Sequence, residues 1–334
     1  MAGGFSKVLA RAREVQCQTM QMFSSNPRGW AAAELDADDV ARFRADMKES
    51  DISPIFVHAP YLPNPAAGGA DAKRTVDALV TQAERCAALG VGFLILHMGK
   101  GLGAGAAAAV ARIAKNVSAI LARAPESVML LLENTAGMGS EVGYRFEQVA
   151  EVIGKVKQRD RVGVVLDTAH AFAAGYEFRT RAGLDATLRE FDRRVGLSRL
   201  HLVHLNDSKS DFGSRVDRHW HIGEGKIGKD GMREIVNHPL LRNLPAVMET
   251  PRDSAADDLR NLSAVSSLVA TTEVRSQRAE GRVQKGAWPG ADEVRCKMLE
   301  ARSQKCRPGE MDEAVSQKEE VRRKKAGGGK AENA

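Results

Sequence analysis

Seven short, almost purely apolar runs recur through the greater part of this 334-residue chain, with helical stretches between them. They cover residues 19–23, 54–58, 93–97, 128–133, 162–167, 200–204 and 245–249. Runs without polar alternation belong to strands buried on both faces, the condition of a parallel sheet covered by helices. Residues 70–89, 106–123 and 182–195 carry helical spacing, so strand and helix alternate. Seven such units exceed the usual doubly wound sheet and predict a TIM (β/α)8-type barrel. The chain opens on GGFSKVLARAREVQ, which reads as the first helix. The first barrel strand is therefore expected to be missing, leaving open strand edges beside the gap.

Composition narrows the class. Hydrophobic residues make up 43% and aromatics only 5%, so Leu, Val, Ile, Ala and Met must fill the core. Cys17, Cys86, Cys296 and Cys306 form no CxxC pair and point to a reduced, intracellular setting. No run of about 18 apolar residues is available to span a membrane, and the amino terminus lacks a secretory h-region. The net charge of +6 is uneven: 15 Lys/Arg face 11 Asp/Glu from residue 271 onward, leaving 34 against 32 in residues 1–270. Nucleic-acid affinity would thus need a local basic face rather than bulk charge. Residues 271–334 are expected to form a disordered basic tail beyond a barrel domain of residues 1–270. The basic cluster at 322–325 is a candidate nuclear address or DNA-attracting arm, against the plainer reading of a solvated charge run.

Six of the seven runs end in a metal-ligating type of residue: His58, His97, Glu133, Asp167, His204 and Glu249. Barrel strands converge at their carboxyl ends, where the active sites of such barrels lie. His170 follows Asp167 by three, and Asp217 and His219 sit in the long loop after 200–204, the seventh strand of a complete barrel. Taken singly, each is more often a hydrogen-bonding residue than a ligand. Six in register are another matter, because clustered imidazoles and carboxylates are costly to bury unless they share cations. Imidazole and carboxylate without thiolate suit zinc, manganese or iron. Nine ligands is about the number three zinc ions need if each keeps an open position, and paired ions clamp an attacked phosphate. His201, His221 and His238 read as structural; strand alternation turns His201 away from His204.

The segments FVHAPYLPNPA (56–66), LLENTAG (131–137), VVLDTAHAFAAGY (164–176), HLNDSKSDFGSRVDRHWHIGEGKIG (204–228) and VMETP (247–251) resemble the endonuclease IV family of AP endonucleases. The resemblance runs over residues 2–269 in order and spacing. It implies a DNA-repair hydrolase that cuts 5′ of abasic sites in duplex DNA, leaves a 3′-hydroxyl and removes 3′-blocking groups. It also implies three zinc ions per chain. His58 and His97 would bind the first, with Glu133 bridging to a second completed by Asp167, His204 and Glu249; His170, Asp217 and His219 would hold the third. Glu133 and Glu249 are the carboxylates expected to serve catalysis as well as ligation. Arg28 and the Tyr61–Leu62 pair would enter the duplex, a planar cation and apolar wedges filling the space of an extruded nucleotide. A monomer in the cytoplasm and nucleoid, or in a nucleus, is expected.

The chain departs from the family's pattern in its absent opening strand and in the MGKG turn after His97, where Lys100 is a candidate phosphate contact. Two other readings stand beside this one. A metal-dependent sugar isomerase or epimerase of the same barrel superfamily would use the Glu133, Asp167, His204 and Glu249 set alone, for one or two metals. An inactive fragment would bind DNA or a partner through its tail.

Overall fold

A computed structural model of the chain describes residues 4–270; the readings made for the tail, with Cys296 and Cys306, lie outside the described residues. Six strands come first: β1 (Met20–Phe23), β2 (Ile55–His58), β3 (Phe93–His97), β4 (Met129–Glu133), β5 (Val162–Asp167) and β6 (Leu200–His204). A two-residue antiparallel pair follows, β7 (Asp207–Ser208) with β8 (His219–Trp220), and then β9 (Ala246–Val247). The main sheet runs β1-β2-β3-β4-β5-β6-β9, parallel throughout. Helices α1 (Val8–Glu14), α2 (Ala37–Lys48), α3 (Gly69–Leu89), α4 (Ala106–Leu121), α5 (Phe146–Lys155), α6 (Thr168–Ala173), α7 (Arg181–Arg194), α8 (Gly228–Asn237) and α9 (Ala255–Leu268) cover its outer face. This is the TIM-barrel arrangement, with strands joined by helical crossovers.

The strands are apolar on both faces because each face has its own core. Inside the barrel, Phe56, Ile95, Leu131, Val165 and Leu202 form one cluster, with Val247 packed against it. Between strands and helices lies a larger shell that includes Val57, Leu94, Leu130, Val164 and Val203 with Leu79, Ile113, Val149 and Leu188. The six inward residues each stand two positions before a strand-end candidate ligand, so alternation puts those ligands on the interior face at the carboxyl rim.

Alternation fails once. Between β5 and β6 the register skips, Val164 pairing with Leu200 and Val165 with Leu202. The extra residue is His201. A bulge re-aims its side chain, and the imidazole turns into the barrel instead of away from His204's side. It fills space that Gly163 leaves: a Cβ on Gly163 would lie 2.4 Å from the His201 ring. The Phe93 ring is 5.8 Å from it. His201 is thus a packing residue at the barrel floor, as expected in role but not in direction.

The sheet has two ends, β1 and β9, and among the described residues no strand lies between them. A cleft of about 840 Å³ runs along β1 there, lined by Met20, Gln21, Met22 and Phe23 with Val8 and Arg252. This is the gap expected from the sequence.

Candidate metal centre

Strand register assembles the site. In the β3–β4 pairing His97 stands opposite Glu133, and in the β5–β6 pairing Asp167 stands opposite His204. His58 ends β2, and Glu249 lies two residues beyond β9. The turn after β5 starts α6 at once: Asp167 caps it, its Oδ1 accepting the His170 N–H at 2.7 Å. The long β7–β8 connection returns Asp217 and His219 to the same rim. A carboxylate holds the segment that follows β8. Asp207, fully buried, accepts the backbone N–H groups of Ser208, Gly223, Gly225, Ile227 and Gly228. Gly225 approaches so closely that a Cβ would meet the Ser208 carbonyl at 2.4 Å.

Glu133 is the hub. It has no exposed surface, and its Oε2 lies 3.2 Å from Nε2 of both His58 and His97. Its Oε1 lies 3.0 Å from His204 Nδ1 and 3.4 Å from His170 Nδ1. His204 Nδ1 is in turn 3.3 Å from Glu249 Oε2 and 3.9 Å from Asp167 Oδ2. On the far side His219 Nε2 stands 3.4 Å from Asp167 Oδ2, and Asp217 Oδ1 is 3.2 Å from His170 Nε2 and 3.7 Å from His219 Nε2. Three donor groups emerge, each with ligand atoms within 4.8 Å of one another: His58–His97–Glu133; Glu133–Asp167–His204–Glu249; and Asp167–His170–His219. Glu133 belongs to the first two and Asp167 to the last two. The grouping differs from the sequence expectation at one point: Asp167 joins the third group, against which Asp217 packs.

The charges in this cluster are tightly interdependent. Burial alone would raise the Glu133 carboxyl, but His204, His97 and the bond from His170 hold it well below the carboxylate range. Burial likewise disfavours the His204 imidazolium, yet Glu249 and Glu133 push it up to about 9. Asp167 and Asp217 raise His170 well above its ordinary value against the same opposition, and His97 rises beside Glu133. Glu249 and Asp217 are lowered by neighbouring imidazoles despite burial. Fully buried carboxylates met by imidazoles and amides form a site that demands positive charge, supplied by protons or by cations. Nitrogen and oxygen donors in threes and fours fit zinc or a similar divalent ion.

Outer partners aim the rings. The Nδ1–H of His58 donates to the Ala59 carbonyl at 2.7 Å, that of His170 to Asn134 O at 3.0 Å and that of His219 to Glu249 O at 3.0 Å. Such bonds fix the tautomer and leave Nε2 for an ion. Asn206 donates to Asp167 Oδ2 at 2.7 Å and accepts the Glu249 N–H at 2.7 Å, while Asn134 Oδ1 accepts the Asp167 N–H at 2.8 Å. Gln21 on β1 reaches His204 and Glu249. Sequence reasoning passed over Gln21, Asn134, Asn206 and Asp207. The available signals were a polar residue inside the run TMQMF and amides immediately beside strand-end ligands.

Arg28, Tyr61 and Leu62 stand at the same rim. Arg28 is exposed, Tyr61 is 59% and Leu62 42% exposed, and Tyr61 N–H donates to Pro27 O at 2.9 Å, joining their loops. The Tyr61 ring lies 6.0 Å from that of His58. α3 anchors the Arg28 loop from behind, Arg85 donating to the carbonyls of Ser24 and Ala33. Lys100 pairs with Glu141 at 3.7 Å. His238 is buried and donates to Asp185 at 2.8 Å, and His221 meets Asn261 at 3.1 Å, both away from the cluster.

Comparison with known proteins agrees with this geometry. The family described as xylose isomerase-like TIM barrel matches residues 9–268. A relative from Methanoculleus marisnigri, named probable endonuclease 4, is 44% identical over 270 residues, covering 80% of this chain and 96% of its own length. The crystal structure of endonuclease IV from Thermus thermophilus superposes with a TM-score of 0.72 at 34% identity, covering 80% of this chain and 95% of that one. A D-tagatose 3-epimerase-like protein, covering 83% of this chain and 96% of its own, reaches a TM-score of 0.63 at 16% identity, a likeness of fold alone. Barrel, rim chemistry and sequence agree: this chain belongs to the endonuclease IV family of DNA-repair nucleases, within the xylose isomerase-like TIM barrels.

Proposed function

We propose that residues 1–270 hydrolyse the phosphodiester bond 5′ of abasic sites in duplex DNA, leaving a 3′-hydroxyl, and remove 3′-blocking groups by the same chemistry with three zinc ions. The observation that carries this reading is the sharing of Glu133 and Asp167 among three donor groups at one rim. An isomerase using one or two ions has no need of His58, His97 and the Asp217–His219 pair. When bound, the ions supply Lewis-acid polarisation of a phosphoryl oxygen and activation of water at neutral pH.

The chain's own residues do the rest. Glu133 and Asp167, wholly buried, give fixed negative charge at positions closed to solvent, where electrostatic effects exceed those in bulk water. Glu249 offers Oε2 to the middle group. The exposed Tyr61 and Leu62 present apolar surface, and Arg28 a cation, to a duplex lying across the rim. An abasic nucleotide has already lost its stacking, so its extrusion costs less than that of an intact one. Zinc-replete protein incubated with a duplex carrying one abasic-site analogue should nick on the 5′ side and leave a 3′-hydroxyl by end-group analysis. Absence of cleavage, or an unsaturated aldehyde at the 3′ end, would overturn the proposal.

A further inference from the structure

Among His58, His170, His204 and His219, three rings are aimed by backbone carbonyls through Nδ1–H and present Nε2 to the cluster. His204 is reversed. It presents Nδ1 to Glu133, Glu249 and Asp167, and its Nε2–H donates to the Gln21 Oε1 at 2.8 Å. The same amide donates through Nε2 to Glu249 Oε1 at 2.6 Å, leaving Oε2 to face His204 Nδ1. A primary amide can make this pair of bonds because it carries an acceptor and a donor on one rigid plane.

The location matters as much as the bonds. Gln21 lies on β1 and Glu249 just beyond β9, the two strands at the open ends of the sheet. No backbone ladder joins them among the described residues, so the Gln21–Glu249 bond crosses the seam. Of β1 to β6, β1 is also the strand that ends in no candidate ligand, its last residue being Phe23.

We propose that Gln21 is the positioning residue of the middle metal group: it selects the His204 tautomer that offers Nδ1 and fixes the free oxygen of Glu249 across the seam. This rests on the metal-centre reading above. Outer partners of this kind contribute about 10- to 100-fold to metal affinity. The test is titration of the metal-free full-length chain with Zn²⁺ alone against a chromophoric chelator, for wild type, Gln21→Leu and Gln21→Glu. Co²⁺ spectra should be recorded on the same three proteins. Gln21→Leu keeps the size and loses both bonds; Gln21→Glu keeps an acceptor for His204 but sets a carboxylate against Glu249. The expected result is one site weakened by about 10- to 100-fold in Gln21→Leu, with an altered Co²⁺ spectrum and the other sites unchanged. The carboxylate variant should recover the imidazole signature of wild type in long-range ¹⁵N spectra of the zinc-loaded protein. Wild-type and Gln21→Leu isotherms that superimpose would overturn the assignment of Gln21 while leaving the metal centre standing. A wild type that binds no Zn²⁺ would overturn both. Should Gln21→Leu fail to fold, the Gln21→Glu spectra and isotherm decide: wild-type affinity at every site refutes the proposal.

Discussion

Replacement of Glu133 by glutamine tests the hub most severely. Glutamine keeps the volume of a side chain with no exposed surface, so the barrel should still assemble. What it removes is one anionic ligand from each of two donor groups, because Glu133 belongs to both. A charge-assisted contact is worth about 1.5–3 kcal/mol, and about 1.4 kcal/mol is a factor of ten. Each of the two groups should therefore lose about 10- to 150-fold in zinc affinity, while the Asp167–His170–His219 group is spared. Nicking should fall by at least as much as either site's loss of zinc, since groups that act as a unit fail together when one member is removed. The assay is metal content after dialysis against a buffered chelator, read beside cleavage of the abasic duplex, with the melting temperature of metal-free protein as the folding control. Glu133→Gln protein that retains wild-type zinc content and nicks within about threefold of wild type would refute the argument that this carboxylate joins two sites.

Three further outcomes follow from single contacts. Gly225→Ala forces a Cβ to within 2.4 Å of the Ser208 carbonyl, so the loop bound to Asp207 must shift; a loss of about 1–3 kcal/mol should appear as a fall of several degrees in melting temperature, and an unchanged value would contradict the close approach. Tyr61→Ala with Leu62→Ala removes exposed surface and should leave stability within about 0.5 kcal/mol, while weakening binding to abasic duplex more than binding to intact duplex; equal losses on the two would count against the wedge role. His238 gives a pH signature. Burial, against the bond to Asp185 and with help from Arg181, holds this imidazole below its ordinary range; its Nδ1 accepts Leu240 N–H at 3.2 Å, as a neutral ring can. A histidine whose folded value is lowered binds fewer protons folded than unfolded, so its stabilisation is present above about pH 6.5 and is lost as pH falls through the folded value. The His238 resonance should titrate below about 6.5 and His238→Asn should flatten the acid side of the melting profile; a midpoint above that value would reverse the sign.

Much of this was legible in the sequence, for a physical reason. Strands buried on both faces write themselves as unbroken apolar runs, so β1 to β6 fell within a residue or so of their expected limits. β9 is shorter than its run of residues 245–249, leaving Glu249 in the following segment, because at the end of the sheet order it has one neighbour to pair with. Six of the candidate ligands were visible because each ends a mostly apolar run, and His170, Asp217 and His219 because they follow closely on such ends. What alternation alone misjudged was His201, since a bulge depends on the neighbouring strand's register and on the space above Gly163. The outer partners were hidden for a different reason: Gln21 meets Glu249 from 228 positions away, and Asn206 reaches both Asp167 and Glu249, contacts that only the closed rim creates. The association of Asp167 with His219 is of the same kind.

Whether imidazoles and carboxylates from separate strands share cations at one rim is measured directly by anomalous scattering at the zinc edge. Crystals of the full-length chain grown with zinc should give three peaks, one against each donor group, with Glu133 touching two of them. Peaks elsewhere on the surface, or none at the rim in zinc-replete crystals, would contradict it.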